Sequence, residues 1–145
     1  MGGFVVYKLN TRQFGPGLPP PPVDDVYNPP PSQEPLVVPP APANIIIFTD
    51  SGFSPNLLTI KLGETVTFKN ESSKPTWPAS AMHPTHKVYP GSDIEKCGTA
   101  EESKIFDACR DIPAGGSWSF GFDNVGTWGY HDHLDASKFG KIIVQ

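Results

Sequence analysis

Proline is concentrated in one segment of the chain, and that segment cannot enter a regular fold. Twelve of the 18 prolines lie within residues 16–42 of a 145-residue sequence. Proline lacks an amide donor and has a fixed φ, so the run of prolines at 19–22 cannot join a helix or a central strand. We therefore expect residues 15–42 to form an extended linker or stalk. Residues 43–145 remain to fold, which is enough for one domain and too little for a large enzyme with separate cofactor and substrate domains.

The N-terminal residues 1–14 combine a short apolar stretch with basic side chains. Residues 4–7 are apolar and are followed by Lys8 and Arg12. Four residues are far fewer than the roughly 20 that span a bilayer. The order nevertheless resembles the end of a membrane anchor with its basic flank, so we expect residues 1–14 to be the remnant of such an anchor. A short apolar N-terminus without a role is the alternative.

The charge of the chain argues against one class of partner. The formal net charge is −4, and no basic stripe runs along the sequence. Nucleic-acid binding would need clustered lysine and arginine side chains. We therefore expect no nucleic-acid partner, and we expect contact with a membrane only through the N-terminal segment.

After residue 43 the sequence becomes typical of an all-β domain. Short stretches of β-branched and aromatic residues alternate with small or polar ones, and glycine-containing turns separate them. Apolar helical periodicity is suggested only at 101–109. Many short strands of this kind predict an antiparallel sandwich or barrel. The predicted strands are 44–49, 57–61, 65–69, 117–122, 127–130 and 141–144.

Two cysteines flank a polar, loop-like insertion at residues 91–116. Cys97 and Cys109 are 12 positions apart, and a disulfide between them would stabilise the fold by roughly 3 kcal/mol. Such a bridge implies an oxidising compartment, either the periplasm or the cell surface. A pair of metal-binding thiolates is the alternative, but the spacing is not CxxC and neither cysteine adjoins a histidine.

All four histidines fall into two pairs with chelating spacings. His83 and His86 form HxxH, and His131 and His133 form HxH directly after a predicted strand. Residues i and i+2 of an extended segment project to one face, so the second pair can converge on one ion. We predict a single metal site formed by all four imidazoles, with copper as the ion and zinc as its rival. Ligation by three of the four, which would leave one position open, is the alternative ligand set. Histidines that only hydrogen-bond within loops are the alternative.

Several neighbouring side chains are candidates for supporting roles. Asp132 and Asp135 are candidate acceptors for imidazole N–H groups, although Asp132 is equally well explained as a solvated carboxylate. Met82 precedes the HxxH pair and is a candidate weak axial ligand. Trp77 and Tyr89 flank the same loop and are candidates for shielding the metal from water.

Two segments resemble a known family. Residues 53–70, FSPNLLTIKLGETVTFKN, resemble the opening of a cupredoxin domain, and residues 126–130 and 140–144 resemble its last hairpin. The resemblance implies a Greek-key β-sandwich with copper bound in the loops at one end.

The blue-copper ligands of that family are not found at the corresponding positions. In the last loop the cysteine position falls on Asp132, the histidine on Asp135 and the methionine on Lys138, and the upstream histidine falls near Thr76 or Trp77. A blue site depends on a copper–thiolate bond. We therefore expect neither the intense blue colour nor the tuned electron-transfer centre.

A second resemblance fits the histidines better. Residues 126–133, GTWGYHDH, are similar to the G-T-x-W-Y-H-S-H element of multicopper oxidases, whose HxH pairs bind type 2 and type 3 coppers. The HPTH and YHDHL motifs also resemble single-domain cupredoxin-like proteins of bacterial cell envelopes. One HxH and one HxxH cannot complete a trinuclear cluster within one chain, so the resemblance implies a mononuclear, type 2-like site.

Four functions follow from these patterns. The first is an extracytoplasmic, membrane-tethered copper-binding protein that stores or delivers copper to a copper-transfer or redox partner. The others are an electron-transfer cupredoxin, an oxidase whose chains share copper in an oligomer, and a metal-free structural module on a stalk. Whether the chain is an enzyme stays open, because oxidase activity would need that oligomeric copper site.

Overall fold

The computed structural model describes Gly15, Gly17 and residues 44–145. The expected anchor remnant at 1–14 lies outside these residues, as does nearly all of the expected stalk at 15–42. Within the described part of the chain, no helix is both long and apolar enough to cross a membrane.

Residues 44–145 form two four-stranded sheets that pack face to face. The first sheet has the strand order β2-β1-β4-β6, and the second has the order β3-β8-β7-β5. The predicted all-β, Greek-key β-sandwich is confirmed. The strands are β1 (Asn44–Thr49), β2 (Gly52–Ser54), β3 (Leu57–Ile60), β4 (Thr65–Asn70), β5 (Pro78–Ser80), β6 (Ser117–Gly121), β7 (Gly126–Asp132) and β8 (Asp135–Val144).

The strand pairing combines antiparallel hairpins with two parallel contacts. Strand β1 runs parallel to β4, and β3 runs parallel to β8, so the chain crosses between the sheets. Strands β2 and β5 are three residues long, too short for an alternating pattern to reveal them. Strand β8 begins six residues before the strand predicted at 141–144, because the first half of β8 pairs with the end of β7.

Aromatic side chains fill the space between the sheets. In β4 every second residue is buried, which places Phe68 in the centre of the core. The ring of Tyr130 lies 5.2 Å from that of Phe68 and 5.0 Å from that of Phe53, both in edge-on arrangements. Burial of a side chain of this size stabilises the fold by about 1.5–3 kcal/mol. The alternation seen in the sequence therefore sets the inner face of the sandwich.

The insertion at 91–116 is not the solvated loop that its composition suggests. Residues 105–108 are buried, and the ring of Phe106 stacks 6.1 Å from that of Trp118. The helical periodicity suggested at 101–109 does not correspond to an α-helix, since only the 3-10 turn Glu102–Lys104 forms there, with a second at Ile94–Lys96. The insertion thus contributes to the core beside β5.

The predicted disulfide is confirmed. Cys97 and Cys109 are bonded, with their Cα atoms 5.3 Å apart. The bridge closes the insertion on itself and leaves neither cysteine of the sequence with a free thiol.

Replacement of Gly140 by alanine tests the tight contact between β8 and its neighbours. A Cβ atom there would lie 2.6 Å from the backbone oxygen of Asn56 and would collide with the phenol of Tyr130. We expect Gly140→Ala to lower the free energy of unfolding by about 2 kcal/mol, measured by urea denaturation. Gly121→Ala is the matched control, because its Cβ meets only Thr65 Oγ1 at 3.6 Å. Equal stability of the two variants would contradict this packing.

Candidate metal centre

The pairing of β5 with β7 brings the two histidine motifs to one end of the sandwich. Ala79 of β5 lies opposite His131 of β7, and Ser80 lies opposite Tyr130. The chain leaves β5 after Ser80 and enters the loop that carries His83 and His86. The HxxH loop therefore starts beside the strand that ends in HxH.

A tight turn shapes the HxxH motif. The amide of His86 donates to the backbone oxygen of Met82 at 2.8 Å, and His86 has a left-handed φ of 58°. The His86 side chain is completely buried, whereas His83 is exposed at the rim. The turn thus places one imidazole at the base of the site and the other at its mouth.

The HxH motif is shaped by more than the pleat of a strand. The ladder between β7 and β8 has a register shift at His131 and Asp132, and His133 lies beyond the end of β7. The amide of His133 donates to the backbone oxygen of Trp77 at 2.8 Å. The expected i, i+2 spacing of an extended segment therefore explains the convergence only in part, since this backbone hydrogen bond sets the position of His133.

All four predicted histidines come together. One nitrogen from each imidazole lies within 4.8 Å of the corresponding nitrogens of the others. The ring centroid of His83 lies 5.4 Å from that of His131 and 5.0 Å from that of His133. The centroid of His86 lies 4.9 Å from both. Separations of this size allow several imidazoles to reach one ion.

The hydrogen bonds of the cluster leave buried nitrogen atoms without partners. His86 Nε2 lies 3.0 Å from His133 Nδ1, a distance at which one of these nitrogens donates a hydrogen bond to the other. Within the described residues, neither ring nitrogen of buried His131 has a hydrogen-bond partner. A buried polar group without a partner costs about 1–3 kcal/mol. A metal ion at the centre of the cluster would satisfy these atoms, so the residues present fit such an ion.

Asp107 supplies the carboxylate that supports the cluster. Its Oδ2 lies 2.5 Å from His86 Nδ1, and both side chains are fully buried. Its Oδ1 accepts hydrogen bonds from Trp77 Nε1 at 2.6 Å and from the Cys109 amide at 2.8 Å. Sequence reasoning missed Asp107, because it lies in the insertion and no local spacing relates it to a histidine.

The roles predicted for Asp132 and Asp135 need correction. Asp132 Oδ1 accepts from the amides of Trp77 at 2.7 Å and Leu134 at 3.2 Å, so this buried carboxylate joins backbone segments. Asp135 is exposed and accepts from the amide and hydroxyl of Ser137. Among the described residues, neither carboxylate is hydrogen-bonded to an imidazole.

The two aromatic residues expected to shield the metal differ in position. The ring of Trp77 lies 4.5 Å from that of His133, so it covers one side of the cluster. Tyr89 instead lies in the core, where its hydroxyl accepts from the Asp123 amide and its ring packs against Trp128. Met82, the candidate axial ligand, has a side chain that is 66% exposed.

The surroundings of His131 and His133 favour the neutral form of these two imidazoles. Burial, reinforced by the neighbouring histidines, lowers the pKa of His131 to about 4. Burial likewise lowers the pKa of His133, with a further contribution from His86 and His83. Burial opposes ionisation of Asp107, but hydrogen bonds from His86, Trp77 and the Cys109 amide outweigh it and lower the pKa of this carboxyl. At neutral pH the site therefore offers imidazole lone pairs beside one carboxylate.

Comparison with known proteins identifies the family. No protein-family model matches the sequence. A plastocyanin from Scenedesmus fuscus is 35% identical over 101 residues, which cover 66% of this chain and 92% of that protein. A chloroplastic plastocyanin from Tetradesmus obliquus is 32% identical over 108 residues, which cover 71% of this chain and 67% of that protein. This chain belongs to the cupredoxin family.

Solved structures agree with the fold of this cupredoxin. A purple cupredoxin from Nitrosopumilus maritimus has a TM-score of 0.53 at 19% identity, covering 70% of this chain and 98% of that one. An oxidised amicyanin variant has a TM-score of 0.52 at 20% identity, covering 71% and 82% respectively. The blue-copper thiolate is absent from this cupredoxin, because both cysteines of the sequence form the disulfide.

Replacement of His131 by leucine tests whether its imidazole lacks a partner in the metal-free protein. We expect His131→Leu to raise the free energy of unfolding by about 1 kcal/mol in the presence of a chelator, because an unsatisfied buried polar group is removed. Urea denaturation measures this change. The matched control is the exposed His83→Leu, which should shift stability by less than about 0.5 kcal/mol. A metal-free His131→Leu protein less stable than the parent would contradict this interpretation.

Proposed function

We propose that this cupredoxin binds one copper ion through His83, His86, His131 and His133 and serves to store or deliver copper outside the cytoplasm. The observation that carries the proposal is the convergence of all four histidines of the chain around buried His131, whose two ring nitrogens have no partner in the described part of the chain. Proteins rarely bury such groups unless function requires it. Membership of a copper-binding family supports the choice of metal.

The four histidines of the proposed site differ in position and burial. His86 and His131 form the buried base, half-buried His133 packs against Trp77, and exposed His83 closes the site from the rim. Imidazole ligation suits Cu(II), and the Irving–Williams order places copper above zinc at a given site. When bound, copper supplies a one-electron couple. The protein supplies oriented lone pairs and excludes water from the base of the site.

Location outside the cytoplasm is part of the proposal. The disulfide between Cys97 and Cys109 supports it, since such bridges persist in oxidising compartments. We extend the proposal to the N-terminal segment, in which residues 1–14 would derive from a membrane anchor and residues 15–42 would act as a stalk. A tether of this kind would hold the copper site away from the membrane surface.

The rim of the site suits contact with a protein partner. His83 is exposed, and the neighbouring apolar side chains of Met82 and Phe139 are 66% and 64% exposed. Exposed apolar side chains that are grouped beside an exposed ligand would let a second protein approach the metal closely. We propose that a copper-transfer or redox protein contacts this rim.

Electron transfer is the second candidate function. It is favoured by the identity of the relatives, which are plastocyanins. The absence of a free cysteine argues against a blue centre of the usual kind, so electron transfer here would have to use an imidazole site. Reversible one-electron cycling of the copper-loaded protein would support this candidate over storage.

Titration of the purified protein with Cu(II) tests the proposal. We expect one Cu(II) per chain, a type 2 electron paramagnetic resonance spectrum and no intense blue absorption. Alanine replacement of each histidine should weaken binding by at least about tenfold, because each removes one ligand. Asp135→Asn is the matched control and should bind as the parent does, since Asp135 hydrogen-bonds only to Ser137.

The other outcomes separate the alternatives. If the protein binds zinc in preference to copper when both are present, the ion of the proposed site is zinc. More than one copper per chain together with oxidation of a small phenol would favour the oligomeric oxidase. No binding of either metal would favour a structural module and overturn the proposal.

A further inference from the structure

We propose that the Cys97–Cys109 disulfide controls the metal affinity of the histidine cluster through Asp107, which sets the proton position on His86. The inference rests on the proposed metal site and adds a positioning residue and a redox dependence to it. Its basis is a continuous chain of contacts from the disulfide to the cluster. The Cys109 amide donates to Asp107 Oδ1 at 2.8 Å, and Asp107 Oδ2 lies 2.5 Å from His86 Nδ1.

The Asp107 carboxylate determines which nitrogen of His86 faces the metal. A carboxylate only accepts hydrogen bonds, so His86 Nδ1 must carry the proton and donate it. His86 Nε2 is then left with a free lone pair, and this atom points to His133 Nδ1 at 3.0 Å. The imidazole is thus held in the tautomer that a metal ion requires.

The backbone on both sides of Asp107 is held independently of the disulfide. The Ser80 amide donates to the Phe106 oxygen at 2.7 Å, and the Ala108 amide donates to the Pro78 oxygen at 3.0 Å. These bonds attach the segment to both ends of β5. The position of the Asp107 backbone should therefore survive opening of the bridge.

The orientation of the Asp107 side chain does depend on the disulfide. Oδ1 is oriented by two donors, Trp77 Nε1 and the Cys109 amide. Cys109 has a φ of 53°, which is unfavourable for a residue other than glycine, and the bond to Cys97 holds it there. Without that bond Cys109 can relax to negative φ and withdraw its amide from the carboxylate.

Opening of the bridge is a balanced two-electron step. A dithiol reductant transfers two electrons and two protons, the S–S bond breaks, and two thiols form while the reductant becomes a disulfide. Both cysteines are only partly buried, so a reductant has access to them. The consequence we infer is a rotated Asp107 carboxylate, a mixture of His86 tautomers and weaker metal binding.

Asp107→Asn separates the positioning role from a structural one. The side-chain oxygen of the new asparagine must stay beside Trp77 Nε1 and the backbone amide of Cys109, because both of these groups only donate hydrogen bonds. The side-chain NH₂ of the asparagine then faces His86 Nδ1 and donates to it. His86 Nδ1 must therefore be unprotonated, and the imidazole proton moves to His86 Nε2. We expect long-range ¹H–¹⁵N NMR of the metal-free protein to show this change of tautomer, with Cu(II) affinity about 10- to 100-fold lower.

Two controls accompany that variant. Asp111→Asn removes the same charge from an exposed position of the same insertion, and it should change neither the tautomer nor the affinity. Thermal denaturation of the metal-free proteins checks that Asp107→Asn is folded. A folded Asp107→Asn protein with the parental His86 tautomer would overturn the positioning role.

A double-mutant cycle tests the coupling to the disulfide. The bridge is opened either by reduction followed by thiol alkylation or by the Cys97→Ser/Cys109→Ser replacement, and Cu(II) affinity is measured against a competing chelator. We expect opening to weaken binding about tenfold in the parent protein. In the Asp107→Asn background the same opening should change affinity by less than about twofold, because the shared contact is already lost.

The outcomes distinguish this inference from the proposed function. An intact, oxidised parent protein that binds no copper contradicts the metal site itself. A parent that binds copper with equal affinity before and after opening contradicts only the redox dependence. An effect of opening that is as large in the Asp107→Asn background as in the parent shows that the bridge acts by another route and overturns the coupling through Asp107.

Discussion

The antiparallel pairing of β5 with β7 is the contact on which the site depends. Three residues of β5 hold the start of the HxxH loop against the strand that ends in HxH. The same short strand is bonded on its other edge to the insertion, through the Phe106 oxygen and the Ala108 amide. Asp132 strengthens the arrangement, because its carboxylate binds the amide of Trp77 immediately before β5. Segments far apart in the sequence thus meet at one end of the sandwich through backbone hydrogen bonds, and the imidazoles converge as a result.

The cluster is a place where folding alone would favour other residues. The buried imidazole of His131 has no hydrogen-bond partner among the described residues and therefore opposes stability. The lowered pKa values of His131 and His133 reflect burial together with the proximity of other histidines. The aromatic core around Phe68, Phe106 and Tyr130 provides the surplus of buried apolar surface that tolerates this cost. A local conflict between stability and residue choice, surrounded by a well-packed core, is characteristic of a functional site.

Sequence reasoning succeeded where the information is local. Alternation of small and large side chains in β4 and β6 reveals the inner face of the sandwich, and the spacing of the histidines identifies the residues that converge. It failed for β5 and Asp107, whose positions depend on contacts with distant segments. Asp132 shows the same limit: its place between two histidines suggested an imidazole partner, yet its carboxylate is bound by backbone amides of Trp77 and Leu134. Proximity in sequence decides neither the direction nor the partner of a buried carboxylate.

The insertion explains how a cupredoxin scaffold can hold a site without its usual thiolate. Both cysteines of the chain are bonded within the insertion, where sulfur cannot act as a ligand but can hold Cys109 beside Asp107. In the proposed site nitrogen donors would replace sulfur at the metal, and the carboxylate that contacts one of them, Asp107, comes from the insertion. Imidazole ligands favour Cu(II) more than a thiolate–thioether set does, so the proposed site would stabilise Cu(II) and make its reduction harder. The position of the histidine cluster is thus a property of the fold, whereas the proposed retention of copper, in preference to rapid redox cycling, would follow from the donor atoms.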